Sequence, residues 1–253
     1  MGGGMSRRLR AAGFPVTVYN RTREKAAAAI AAGADFADSP RAAAEGADIV
    51  FSMVADDPAS RLMWLGERGA LAGARPGGVL VESSTLTVEW VRELAAAVAE
   101  RGAEFVDAPV TGSKNAAAAG ELNFLVGGSE AALEIIRPAL NAMGRSVTHL
   151  GPTGSGALVK LINNFVCGVQ LASIAEALAW IEQSGLDRAK ALAVLLDGAP
   201  GSPIAKLVTS RMIAGDFTPN FPLKLMAKDL GYAVKESVAR GQPLTTATAA
   251  YDV

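Results

Sequence analysis

One cysteine and one histidine in 253 residues remove several chemistries at once. Cys167 can close no intramolecular disulfide, so the fold does not rely on an oxidising compartment. It reads as a small apolar side chain rather than a nucleophile. His149 stands alone in a segment that reads as an edge strand, which leaves no histidine metal site and no Ser-His-Asp triad. No His, Cys and carboxylate cluster has metal-ligand spacing, so no metal is expected. Charge of one sign is also missing. The chain holds 24 basic and 25 acidic residues, net charge -1, without the basic stripe that nucleic-acid binding requires. No uncharged apolar run reaches the roughly 18 residues of a membrane span. The start, Met1-Gly-Gly-Gly-Met5 with Arg7 and Arg8 behind it, lacks the apolar core of a secretion signal. The expectation is a cytoplasmic protein with neither nucleic acid nor membrane as partner.

What is present alternates. Pro15 to Tyr19, Asp48 to Met53, Gly78 to Glu82, Glu104 to Asp107, Leu122 to Val126 and Ser146 to Leu150 read as strands. Helical stretches lie between them, at Glu24 to Ala32, Thr87 to Arg101 and Ser129 to Met143, and Ser39-Pro40 supplies a further helix start. Such alternation predicts right-handed βαβ units and a largely parallel sheet. After Gly156 the rhythm changes to helices alone: 157–184, then Asp187 to Leu196, Pro203 to Ile213 and Pro222 to Arg240. The predicted architecture is an α/β Rossmann-type domain over 1–152 and an all-α domain over 153–253.

A dinucleotide site opens with a strand and G-x-G-x-x-G, whose glycines let the backbone approach a pyrophosphate at a helix N-terminus. Here Met1-Gly2 would be the last two residues of that fingerprint, with the first strand missing and the helix Gly3 to Ala12 following at once. A flexible glycine-rich start is the plainer alternative. The second signal is Asn20-Arg21-Thr22, after PVTVY, where an acidic residue would hold the ribose of NAD. No acid stands there. Arg21 offers a guanidinium fork suited to a 2′-phosphate, with Asn20 and Thr22 as further hydrogen-bonding groups, which points to NADP(H). An arginine in a solvated loop is the competing view.

Four segments then fall in register: Ser83-Ser84-Thr85; Asp107-Ala-Pro-Val-Thr-Gly-Ser113 leading to Ala119-Gly-Glu-Leu122; Gly154-Ser-Gly-Ala-Leu-Val-Lys160-Leu-Ile-Asn-Asn164; and Lys228-Asp229-Leu230. Together they resemble the β-hydroxyacid dehydrogenase family, which includes 3-hydroxyisobutyrate dehydrogenases and tartronate semialdehyde reductases. Asn20-Arg21-Thr22 and Thr111-Gly-Ser-Lys114 are most similar to its glyoxylate/succinic semialdehyde reductase branch. Against the family pattern the chain looks truncated at both ends.

The resemblance implies roles. Lys160 becomes the catalytic lysine, the acid that protonates a developing alkoxide, and a lysine partly desolvated in a cleft suits that task. Asn164, one helical turn on, becomes its partner. Thr111, Gly112 and Ser113, past a strand end, would bind the substrate carboxylate, with Thr111 where the family has serine. Phe221 matches an aromatic near the substrate, and Asp229 supports the site. Met53, Val54 and Thr85 would line the cofactor, Thr85 beside the nicotinamide ribose, and Lys228 would reach it from the helical domain. Ser84 or Thr85 has a second reading, as N-cap of the next helix. The activity implied is NADPH-dependent reduction of a small semialdehyde or 2-oxo acid by a homodimer or homotetramer. The alternatives are an NAD-dependent 3-hydroxyisobutyrate dehydrogenase and a non-catalytic dehydrogenase-like binding module.

Overall fold

Helix α1 (Gly2–Ala11) opens the chain, and β1 (Thr17–Val18) follows. A 3-10 turn at Arg23–Ala26 and α2 (Ala27–Ala31) lead to β2 (Asp35–Phe36), which pairs with β1 in a separate two-stranded parallel sheet. The computed structural model describes residues 1–253, divided into a first unit, Met1–Lys160, and a second, Leu161–Val253.

After α3 (Pro40–Ala44) the first unit continues through β3 (Ile49–Ser52), α4 (Asp57–Trp64), α5 (Ala70–Gly73), β4 (Val79–Glu82), α6 (Val88–Ala99), β5 (Glu104–Asp107) and β6 (Val110–Thr111). It closes with α7 (Lys114–Ala119), β7 (Leu122–Gly127), α8 (Glu130–Met143) and β8 (Gly144–Gly151). Ser39-Pro40 behaves as its chemistry dictates. The hydroxyl accepts from Ala42 N at 3.1 Å and the proline occupies the start of α3, where its missing N–H costs nothing.

The main sheet runs β3-β4-β5-β7-β6, with β8 on the other side of β7. Strands β3, β4 and β5 are parallel, and their carboxyl ends are level: Ser52, Glu82 and Asp107 stand in one row. The expected parallel order holds this far. Strand β7 is antiparallel to β5 and to the short β6, then parallel to β8. The loop after Asp107 spends its first residues on β6 and α7 and returns the chain beside its own start, which an antiparallel pair accepts. All four residues of β4 are buried, as a central strand covered on both faces requires. Val79, Val81, Val106, Phe124 and Val126 pack against Ile136, Leu140 and Met143 of α8 to form the core.

Helix α9 (Ser155–Ser184) begins in the first unit and runs on into the second, followed by α10 (Arg188–Asp197), α11 (Pro203–Ile213), α12 (Leu223–Ala239) and α13 (Thr245–Asp252). Met226, Leu230 and Ala247 make a small core there, with Phe165, Cys167 and Leu171 against it. Helices α9 and α12 cross closely at Gly168, where a Cβ would lie 2.9 Å from the Leu230 side chain and oblige it to shift. By length and mean hydropathy α9 could cross a membrane. Its polar groups are engaged in protein, however, Asn164 with Asp229 of α12 and Gln170 with Ser202. Large apolar side chains stay exposed in this unit, among them Trp180 at 78%, Val194 at 73% and Leu207 at 58%.

Candidate active site

The level carboxyl ends of β3, β4 and β5 put Met53, Val54, Ser83, Ser84 and Thr85 on one rim of the sheet. The N-terminus of α1 sits at the same rim, since a Cβ on Gly2 would lie 3.7 Å from the Met53 Cβ. Gly4 N and Met5 N both donate to Met1 O, and no side chain caps the helix. The N–H groups of its first residues are the orphan donors that bind anions. A Cβ on Gly3 would meet nothing within 4 Å, so the approach is open. Burial, and then the charge of Lys114, lowers the Met1 amine from its ordinary value.

Past β1, the Asn20 carboxamide oxygen accepts from Thr22 N at 2.9 Å and shapes the turn, which leaves Arg21 exposed at its tip. Met53, Val54 and Thr85 follow the level strand ends on that rim. Neither Ser84 nor Thr85 caps α6. Thr87 does, accepting from Trp90 N at 3.2 Å while Asp57 holds Thr87 in turn. Ser84 has a different duty: its hydroxyl accepts from Val54 N at 2.7 Å and ties the two rim loops together.

Behind that bond stands a residue no motif singled out. Glu82, 1% exposed, accepts from Ser84 N at 2.9 Å, from the Ser60 hydroxyl at 2.6 Å and from the Trp64 indole at 2.8 Å. Ser60 accepts in turn from the Trp90 indole at 2.9 Å. All three partners donate to the Glu82 carboxyl oxygens. The signal available was a charged residue closing an otherwise apolar run, GVLVE.

Asp107, first residue of the motif expected to bind substrate, is fully buried and faces inward. Its carboxylate accepts from Gly154 N at 2.7 Å and Ala157 N at 2.8 Å, at the start of α9. Burial raises its pKa, those N–H groups offset part of the rise, and the net value is about 6. The folded chain therefore keeps a proton that the unfolded chain releases near pH 4. Asp107's contribution to stability is full below pH 4 and declines by about 3 kcal/mol as pH rises through 6. Urea midpoints at pH 4.5 and pH 7 should show a steeper fall for the natural chain than for Asp107→Asn; equal slopes would refute it. Beyond Asp107, the Thr111 hydroxyl accepts from the Asn123 amide at 3.1 Å, which leaves its own hydrogen to donate. Gly112 sits at φ +112°, a conformation glycine alone adopts at ease. Ser113 precedes α7 without capping it.

Lys160 is half-buried on α9. In the second unit Asn164 is buried, and its amide nitrogen donates to Asp229 Oδ2 at 2.6 Å while its oxygen accepts from Asn163 at 3.0 Å. Lys228 Nζ stands 2.8 Å from Asp229 Oδ1 and 4.7 Å from the centre of the Tyr232 ring. Asn164, Lys228 and Asp229 are thus one cluster. Phe221 is not part of it: the ring is 47% exposed before α12 and absent from the unit's core.

Comparison with known proteins now adds to this geometry. Residues 1–151 match the family described as the NAD binding domain of 6-phosphogluconate dehydrogenase. Residues 154–253 match the family described as NAD-binding of NADP-dependent 3-hydroxyisobutyrate dehydrogenase. The chain belongs to the β-hydroxyacid dehydrogenase family. It is 37% identical to an NAD-dependent L-serine dehydrogenase of Pseudomonas aeruginosa, over 94% of this chain and 83% of that one. With the chloroplastic glyoxylate/succinic semialdehyde reductase 2 of Arabidopsis thaliana it shares 35% identity, over 98% of this chain and 70% of the relative. Among solved structures, a Mycobacterium tuberculosis 3-hydroxyisobutyrate dehydrogenase with L-serine superposes with a TM-score of 0.89 at 33% identity, covering 100% of this chain and 88% of that one.

As a β-hydroxyacid dehydrogenase the chain is an oxidoreductase acting on CH–OH groups with a nicotinamide cofactor. The rim fits such a group. It offers uncapped N–H donors at α1, an open face at Gly3, and the Ser83 hydroxyl, buried without a hydrogen-bond partner beside Ser84.

Proposed function

We propose that this dehydrogenase reduces a small semialdehyde or 2-oxo acid, of the glyoxylate or succinic semialdehyde kind, with NADPH. The observation that carries the reading is the order along α9: Lys160, then Asn164 one turn on, with Asn164 fixed by Asn163 and Asp229. When bound, the cofactor supplies the hydride. Lys160 donates a proton to the carbonyl oxygen as charge develops there. Asn164, held at both ends of its amide, orients lysine and substrate without competing for the proton. Thr111 donates to the substrate carboxylate, and Gly112 and Ser113 offer backbone N–H groups in the same turn. Met1, Gly2, Met53, Val54, Thr85 and Lys228 are proposed to line the cofactor. The exposed apolar side chains of the second unit support self-association as a homodimer or homotetramer.

Preference for NADPH rests on exposed Arg21 and the absence of an acid beside it. A second reading, NAD dependence, is favoured by the name of the Pseudomonas aeruginosa relative. Steady-state assays with NADPH and NADH against glyoxylate, succinic, tartronate and methylmalonate semialdehydes separate the two. Arg21→Asp should lower kcat/KM for NADPH by about 10–100-fold, the worth of a charge-assisted hydrogen bond, and leave NADH unharmed. Equal losses for both cofactors would remove the case for NADPH. Silence with all four substrates in a folded, NADPH-binding chain would overturn the substrate class.

A further inference from the structure

We infer that Asp107 is a positioning residue: it pins the first turn of α9 to the strand that launches the substrate loop, and so fixes where Lys160 stands. The inference rests on reading Lys160 as the proton donor. Helix starts leave N–H groups without partners, and a neighbouring side chain usually takes them. Here they go to a carboxylate 47 and 50 positions earlier in the chain, Gly154 N to Oδ1 and Ala157 N to Oδ2. The same residue ends β5, and the loop to Thr111, Gly112 and Ser113 leaves directly from it.

Two glycines are fitted around this carboxylate. Gly127 lies opposite Asp107 across β7, and a Cβ there would stand 2.5 Å from Oδ1. A Cβ on Gly156 would stand 2.9 Å from Oδ2 and 2.2 Å from Leu125 O. Any larger residue at either place would push α9 off the sheet. Both N–H groups, both glycines and the carboxylate therefore act as one close-fitting joint.

Lys160 follows Gly156 by four residues and Ala157 by three, so it rises from the pinned turn on the same side of the helix. About one turn, roughly 5 Å of axis, separates the joint from the Lys160 backbone that carries the ammonium. A stiff helix carries any shift of its first turn straight to that group. Displacement of about 1 Å at a reacting group costs on the order of 10²-fold in rate. Asparagine at 107 keeps the shape but turns an N–H toward one of the two donors, which opens the joint without emptying it.

The test uses the full chain with NADPH, comparing Asp107→Asn, Gly156→Ala and Lys160→Ala with the natural sequence at matched folded fraction. For the first two, kcat is expected to fall about 10–100-fold while the NADPH dissociation constant stays unchanged. The Lys160 acetylation rate, read by mass spectrometry, should change in both variants while that of Lys228 does not. If Asp107→Asn fails to fold, Gly156→Ala probes the same joint from the other side. Natural turnover in either folded variant would overturn the inference, as would an unaltered Lys160 acetylation rate. Activity surviving in Lys160→Ala would instead sink the proton-donor reading, with the acetylation result still deciding whether Asp107 places that lysine.

Discussion

Lys160→Ala is expected to lose about 10²–10⁴-fold in kcat while its affinity for NADPH stays where it was. Reduction of a carbonyl leaves an alkoxide that must be protonated as it forms. An ammonium on a half-buried helical face delivers that proton in place; bulk water does so with no orientation. Asn164 cannot take over, because an amide has no proton to give in this range and its nitrogen already donates to Asp229. Lys160→Arg should not recover the loss, since a guanidinium keeps its charge throughout the working range. Steady-state kcat alongside cofactor titration checks this directly. Turnover near the natural value would move the proton donor elsewhere.

Glu82→Ala is expected to cost about 3–5 kcal/mol of folding free energy, the usual toll of removing one side of a buried charged network. The Ser60 hydroxyl can rotate to another acceptor. The Trp64 indole N–H and the Ser84 backbone N–H cannot, and each is left buried without a partner. That is a large share of the roughly 5–15 kcal/mol that holds a domain together. Urea unfolding of the two chains measures it, and a difference below about 1 kcal/mol would mean the network is slack. Because Ser84 also receives Val54 N, folded Glu82→Ala should bind NADPH more weakly.

The elements with strong periodicity were legible before any coordinates. GVLVE and EFVD became β4 and β5 almost residue for residue, and Pro203–Ile213 became α11. Of the three two-residue strands, β2 and β6 were not legible: they show no alternation, and the partner strand alone makes them strands. Helices α4 and α13 went unread as well, one opening on Asp56-Asp57-Pro58, the other built on threonine and alanine. In the candidate site, Lys160 and Asn164 stood out through the family resemblance, and Arg21 through the absence of an acid beside it. Their supports did not. The bond from Asp107 to Gly154 spans 47 positions and that from Asn164 to Asp229 spans 65, and no local pattern encodes such pairings. The cap of α6 was misread for a related reason, since Ser84, Thr85 and Thr87 all offer a hydroxyl and only the fold decides which one meets Trp90 N.

The three indoles divide the molecule optically. Trp64 and Trp90 are sealed in the first unit, at 0% and 1% exposure, while in the isolated chain Trp180 stands in solvent on the second. Emission from the buried pair belongs to the blue side of the spectrum and emission from Trp180 to the red. A quencher that stays in water, such as iodide, reaches Trp180 alone. One unlabelled sample thus carries a separate reporter for each unit, and a single fluorescence trace shows which of them opens first.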